Sequence, residues 1–436
     1  MAKIFKPAGR RGAKGRRPST AGANTQQVEL EILRLADDGR GVAQYRDKVV
    51  FVEQALPGER VQAQWLRRHK RFDEARVVQR LNDAAARVAP VCEYFGECGG
   101  CQLQHLEYPG QLRHKQQRLA GLLGDTALSV RVIQGEPLAY RHRARLSYRA
   151  GHLGFKSTAS HHIVNIEHCA VLESVLERAV VDARPVLLRA LKQSHSAELQ
   201  FSLGSDGRVG LAIDDDRRRG DDWCEALAEA LAPRVELHRV SSDGRHWQSD
   251  LAPLRYGDDE HSLAFLPADF TQANRQLNSA LVAQCIAWLA PSAGEQLVDY
   301  FCGLGNFSLP LAASGASILA VDAGEEMLAR ARQRAEQLQL SVEFVKADLF
   351  DAAQIPLRQA RKVLLDPPRA GARAVCEALA AAANVQRIVY VSCDPATLGR
   401  DVAILRGGGY ILRDAVMADM FPQTHHMESL LLLERD

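Results

Sequence analysis

The chain has 436 residues, 46% hydrophobic and 25% charged, a globular composition in a length that usually divides into two or three domains. It holds no run of 18 or more uncharged apolar residues and its first residues are basic rather than apolar, which argues against a membrane-spanning helix and a secretory leader and makes the cytoplasm the expected compartment. The formal net charge of +2 is uneven: Lys3, Lys6, Arg10, Arg11, Lys14, Arg16 and Arg17 stand within residues 1–20 with no acid, and taking those 7 from +2 leaves −5 on the rest.

That arm, rich in Gly, Ala and Pro, cannot bury a core; it is expected to be disordered alone, with charge suited to phosphate contact. Residues 21–81 form the next expected unit. Here short β-rich stretches alternate with turns at Asp38-Gly-Arg-Gly41 and Leu56-Pro-Gly58, a pattern of five short strands that predicts a small barrel. Residues 39–52 with Leu56-Pro-Gly-Glu59 resemble the TRAM domain, an OB-like RNA-binding module. By that resemblance Arg67-Arg-His-Lys-Arg71 faces phosphate, with Trp65 and Phe72 nearby for stacking.

Residues 82–268 read as a central domain of mixed strands and helices, with strand-like pieces at residues 143–148 and 198–203. The nine cysteines are an odd number in a chain without a secretion signal, so clustered ones point to metal or catalysis rather than disulfides. Cys92, Cys98 and Cys101, with Cys169 far downstream, supply four thiols; spacing alone leaves zinc and iron–sulfur both open. Tyr140-Arg-His-Arg-Ala-Arg145, with Tyr148 and Arg149, brings basic and aromatic groups to the same region, as an RNA surface or a solvated strand face.

From residue 269 onward, buried strands alternate with amphipathic helices, which predicts a doubly wound sheet with ligands at the carboxyl ends of its strands. The first strand runs into Asp299-Tyr-Phe-Cys-Gly-Leu-Gly-Asn306 and the second ends at Asp322. Glycines that let a ligand approach, followed by an acid for a ribose diol, fit a dinucleotide about as well as S-adenosylmethionine. Further strand ends carry Asp348, Asp366-Pro-Pro-Arg369 and Ser392-Cys-Asp-Pro395, and His425-His-Met-Glu428 precedes a last apolar strand.

With these motifs, residues 270–436 resemble the RNA uracil-C5 methyltransferase family. The resemblance implies a Rossmann-like S-adenosylmethionine-dependent methyltransferase domain with Gln272, Phe301, Asn306, Asp322, Asp348 and Asp366 around the cofactor, and Asp366 also near the uracil. It implies a [4Fe–4S] cluster on Cys92, Cys98, Cys101 and Cys169, and thus a multi-domain α/β protein: OB-like TRAM barrel, central α+β domain with the cluster, and catalytic domain. Uracil C5 is a poor nucleophile until a thiolate adds to C6, which gives Cys393 its role; the helix starting at Pro395 is expected to lower its pKa. Glu428 is the candidate base for the C5 proton.

Asp322, Asp348 and Asp394 depart mildly from the family's usual residues, which bears on hydrogen-bonding detail rather than on the activity. A branch that combines a TRAM domain with the cysteine cluster acts on 23S rRNA, the expected partner; no membrane or obligate protein partner is expected. A non-catalytic RNA-binding or assembly protein would account for the arm, barrel and cluster but would leave Cys393 and Glu428 without purpose, while transfer RNA or another ribosomal position is an alternative substrate.

Overall fold

The computed structural model describes residues 27–124, 129–158, 160, 162–257 and 262–435; the basic arm at residues 1–20 lies outside them. The described residues form two compact units, one from residues up to Arg34 together with Gly41–Ala84, the other from Leu35–Arg40 and the chain from Ala85 onward.

In the first unit the strands Gln27–Glu31, Arg60–Arg68, Phe72–Arg80, Lys48–Glu53 and Gly41–Tyr45 neighbour one another in that order. Alternate residues point inward, and Leu30, Ala43, Val50, Val52, Val61, Ala63, Trp65 and Ala75 make its core. Trp65 is therefore not the exposed stacking platform that the sequence suggested. It is only 5% exposed, meets Tyr45 edge-on at 5.5 Å between ring centroids, and is covered by the Arg68 guanidinium at 4.3 Å. Its place in the strand alternation puts the indole inside, and Phe72, half-buried and stacked with His69 at 4.5 Å, keeps a partly open face.

The second unit holds two large sheets. The first runs Ile163–Asn165, His152–Lys156, Arg143–Arg149, Ser196–Leu203, Val209–Asp215, Glu236–Ser242 and Arg245–Gln248, and shares a core with the helices Ser174–Ala190 and Asp221–Leu231 through Leu176, Leu187, Leu199, Phe201, Leu227 and Leu237.

The second sheet positions the candidate site. Its spatial order is Val342–Lys346, Ser317–Asp322, Gln296–Tyr300, Lys362–Leu365, Arg387–Ser392, Glu428–Glu434, Ile411–Ala418 and Arg131–Ile133. The first five strands are mutually parallel, and Glu428–Glu434 runs antiparallel to both of its long neighbours. Buried on both faces, the strands read as continuous apolar runs: Val298, Leu319, Val363 and Ile388 go to one core, and Leu297, Ile318, Leu364 and Val389 to the other. The helix Tyr108–Leu123 and the strand Arg131–Ile133 come from earlier in the chain; Leu119 and Leu123 enter the first of these cores. Among the described residues no helix is long and apolar enough to cross a membrane.

Candidate active site

The glycine-rich turn follows the strand Gln296–Tyr300. Phe301, Gly303 and Gly305 all take left-handed φ values (66°, 53° and 83°), which glycine adopts freely and phenylalanine only under constraint. The constraint is visible: Phe301 N–H donates to the Val321 carbonyl at 2.8 Å, and Gly303 N–H donates to Asp322 Oδ2 at 3.0 Å. Asp322 Oδ1 accepts from Gly324 N–H at 2.8 Å, so this acid ties the turn to the start of the helix Glu325–Gln337 while each oxygen keeps a second lone pair.

Around this turn lie the other residues expected to hold the cofactor. Asn306 exchanges two side-chain hydrogen bonds with Asn278, each 2.9 Å long, which fixes both amides. Asp348 is exposed, and its Oδ1 accepts from Phe350 N–H at 3.0 Å; Phe350 in turn sets its ring 5.9 Å from that of Phe301. Gln272 is buried and its side chain hydrogen-bonds Asp366, which follows the strand Lys362–Leu365.

The motif at the glycine turn also carries Asp299, which the family resemblance does not place around the cofactor. Asp299 is fully buried, Ser308 Oγ donates to its Oδ2 at 2.5 Å, and among the described residues its Oδ1 has no partner. Burial and the nearby Asp366 push the carboxyl up to about 8. Sequence showed an acid near the end of a strand but not that one of its oxygens is left bare, since that depends on neighbours drawn from other segments. A buried carboxylate oxygen without a donor suits a cationic ligand group.

Cys393 occupies the step between the strand Arg387–Ser392 and the helix Pro395–Gly407. The step is held locally: Asp394 caps the helix by accepting from Thr397 N–H at 2.9 Å, and Asp394 N–H donates to Ser392 Oγ at 3.2 Å. Glu428 opens the antiparallel strand beside it, since Ser392 pairs with Ser429, and its side chain is 2% exposed. Cys393, Asp366 and Glu428 thus converge at one edge of the sheet. Burial pushes Glu428 well above its ordinary value, with the Asp366 charge adding, and burial lifts Asp366 to about 7.

The thiol departs from the sequence expectation. Instead of being lowered, Cys393 is pushed up to about 12, first by burial and then by the charges of Glu428 and Asp366, which outweigh Arg369. A helix terminus acts weakly against two buried carboxylates on adjoining strands, and those carboxylates come together only in the fold. His425 and His426, with ring centroids 4.2 Å apart, are likewise held below their usual range by burial, His426 at about 3, and are neutral. Cys302 beside the glycine turn is buried, as befits a packing residue.

The four cysteines of the central segment are all half-buried and line one small cavity of about 40 Å³ with Gln104 and Arg141. Gly100 N–H donates to Cys98 Sγ at 3.4 Å, and Cys92 N–H to Gln104 Oε1 at 3.1 Å. Burial raises Cys101 to about 11 and Cys169 to about 12, and nearby cysteine charges add to each shift. Among the described residues, no group of three or more His, Cys, Asp or Glu side chains is arranged to hold a metal ion.

A doubly wound sheet with a glycine turn at its first strand, acids at successive strand ends and a cysteine beside two buried carboxylates fits a methyltransferase-type domain. The tRNA (Uracil-5-)-methyltransferase family model matches residues 252–436. Along nearly the whole chain, the 23S rRNA (uracil(1939)-C(5))-methyltransferase RlmD of Chromohalobacter salexigens is 41% identical, covering 93% of this chain and 89% of the relative. The RlmD of Aliivibrio fischeri (strain ES114) is 34% identical over the full length of both. The crystal structure of Pyrococcus abyssi tRNA (uracil-54, C5)-methyltransferase in complex with S-adenosyl-L-homocysteine shares the fold, with a TM-score of 0.73 at 24% identity over 93% of this chain and 100% of that one. The chain belongs to the RlmD family of uracil-C5 methyltransferases.

Proposed function

We propose that this protein transfers a methyl group from S-adenosylmethionine to C5 of a uracil in 23S rRNA, the one numbered 1939 in the names of its relatives. The observation that carries the reading is the convergence of Cys393, Asp366 and Glu428 at the carboxyl edge of the sheet, beside the glycine turn.

S-adenosylmethionine supplies an electrophilic methyl group. Gln272, Phe301, Asn306, Asp322, Asp348 and Asp366 would hold it, and Asp299, with its bare buried oxygen, would face its cationic part. Asp366, oriented by Gln272, would accept a hydrogen bond from the uracil. The sulfur of Cys393, which is half-buried, would add to C6 as its proton is lost to solvent, leaving Glu428 ionised, and the ring electrons displaced to C5 would form the new C–CH3 bond as the methyl–sulfonium bond of the donor breaks. Glu428 then takes the C5 proton; those electrons restore the C5–C6 double bond and expel the sulfur. A carboxyl lifted by burial suits this, because a proton taken from carbon is better retained by a more basic acceptor.

The four thiols, sharing one cavity with a backbone donor already at Cys98, would hold a [4Fe–4S] cluster. The first unit, with its sheet and the exposed Lys70 and Arg71, is read as a TRAM-type RNA-binding module, and residues 1–20 as a phosphate-binding arm. Incubating the protein with unmodified 23S rRNA and labelled S-adenosylmethionine tests the whole reading: 5-methyluridine at position 1939 is expected, and methylation elsewhere or not at all would overturn it.

A further inference from the structure

Glu428 enters its strand from a long connection, residues 419–427, that spans the hairpin pair Ala418–Glu428. A connection of this length is not a tight hairpin turn whose geometry alone fixes where the next strand begins. Thr424 gives it a local turn, donating its hydroxyl to the Phe421 carbonyl at 2.9 Å and accepting from His426 N–H at 3.1 Å, and beyond that it is fastened by residues some three hundred positions earlier. Gln423, held at a left-handed φ of 67°, donates its N–H to Gln111 Oε1 at 2.9 Å, and its carbonyl accepts from the N–H groups of Gln102 and Leu103 at 3.0 and 2.9 Å. Gln111 Nε2 donates to Gln423 Oε1 at 3.0 Å.

On either side the fastening continues. Lys115 donates to the Phe421 carbonyl at 3.0 Å and Tyr140 to that of Pro422 at 3.0 Å, while Arg118 donates to the His425 carbonyl at 2.7 Å. His425 Nδ1 lies 3.2 Å from Gln102 Oε1. Gln102 and Leu103 follow Cys101 directly, and Gln111, Lys115 and Arg118 lie on the helix Tyr108–Leu123 just beyond. Cys393 and Asp366 follow other strands, and the turn at Cys393 is held by its own local bonds.

From this division of labour we infer that Gln102 and Gln111 are positioning residues for Glu428: the cysteine-bearing segment braces the loop before the base and sets the approach of its carboxylate to C5. The inference rests on the reading of Glu428 as the base. Loosening the brace affects the second half of the reaction, C5 deprotonation and release, and leaves addition and methyl transfer alone.

The test uses the full-length protein with its native metal content, an RNA fragment tritiated at C5 of the target uracil, and methyl-labelled S-adenosylmethionine. First-turnover methyl incorporation and tritium release are followed together in Gln111→Met and Gln102→Ala, with Glu428→Gln alongside. Gln111→Met should release tritium about tenfold more slowly, while methyl incorporation stays within about twofold of the parent, the scale expected of a slightly displaced catalytic group. Gln102→Ala should give the same pattern, smaller, and decides the matter where Gln111→Met does not fold. Equal slowing of both signals, or no slowing of tritium release, would overturn the brace. If Glu428→Gln releases tritium at the parent rate, the assignment of the base fails; if it arrests release while both brace variants behave as the parent, only the brace fails.

Discussion

Lys115 Nζ lies 2.5 Å from Asp419 Oδ1, and neither side chain is exposed to solvent. The pair joins the helix Tyr108–Leu123 to the first residue of the loop before Glu428, and the second oxygen of Asp419 has no hydrogen-bond partner among the described residues. A buried pair is of uncertain net value as a pair, yet removing one partner leaves the other charge stranded and costs about 3–5 kcal/mol. Lys115→Met is therefore expected to lose stability on that scale in urea unfolding, and the double variant Lys115→Met/Asp419→Leu to recover much of it. A single variant as stable as the parent would mean that the loop is anchored elsewhere.

Nucleophile and base should separate cleanly. RNA carrying 5-fluorouracil at the target should trap a denaturation-resistant adduct in the presence of cofactor, because fluorine cannot leave as the proton does. Cys393→Ala should lose both adduct and turnover. Glu428→Gln should keep addition and methyl transfer, accumulating a methylated adduct on ordinary uracil RNA, since only C5 deprotonation expels the sulfur. Turnover in Cys393→Ala would sink the mechanism; full turnover in Glu428→Gln would move the base to another group.

What was legible follows from what each signal depends on. Buried parallel strands such as Ser317–Asp322 and Arg387–Ser392 are continuous apolar runs, and both fall where the sequence placed them. The strand-end motifs were equally readable, because topology carries the ends of parallel strands to one edge of the sheet. The raised thiol of Cys393 was not, because its cause is charge and burial contributed by Asp366 and Glu428 from separate strands. Trp65 was misread for a related reason: composition shows an aromatic beside cations, but the strand register decides that its ring points inward. The bare oxygen of Asp299 and the loop held through Gln423 are long-range contacts with no local pattern.

The four-thiol cavity should hold iron and sulfide. Anaerobically purified protein is expected to absorb broadly in the visible and to contain both, whereas stoichiometric zinc without iron would overturn the assignment. Cys92→Ser should lower solubility and thermal stability more than the rate of a first turnover, since losing a ligand removes folding energy linked to the metal.

The buried carboxyls make stability and cofactor affinity move in opposite directions with pH. Burial lifts Asp299 to about 8, with the nearby Asp366 charge adding, and burial lifts Asp366 to about 7. Each holds a proton in the folded state that an unfolded carboxylic acid releases near its ordinary value of about 4. The folded state thus binds more protons, and its stability, fully present below about pH 4, declines as pH rises toward about 8, at most ~1.4 kcal/mol per pH unit for each carboxyl. Other titrating groups set the absolute curve, so the diagnostic is a difference: Asp299→Asn, which has no proton to hold, should show a shallower fall of the thermal midpoint between pH 5 and pH 8 than the parent, measured without cofactor. Binding runs the other way. A cationic ligand favours the ionised carboxylates, so affinity for S-adenosylmethionine should strengthen through pH 7 to 8 with release of protons, which calorimetry in buffers of different ionisation enthalpy detects. Binding without proton release, or an unchanged midpoint slope in Asp299→Asn, would show that these carboxyls are already ionised in the free protein.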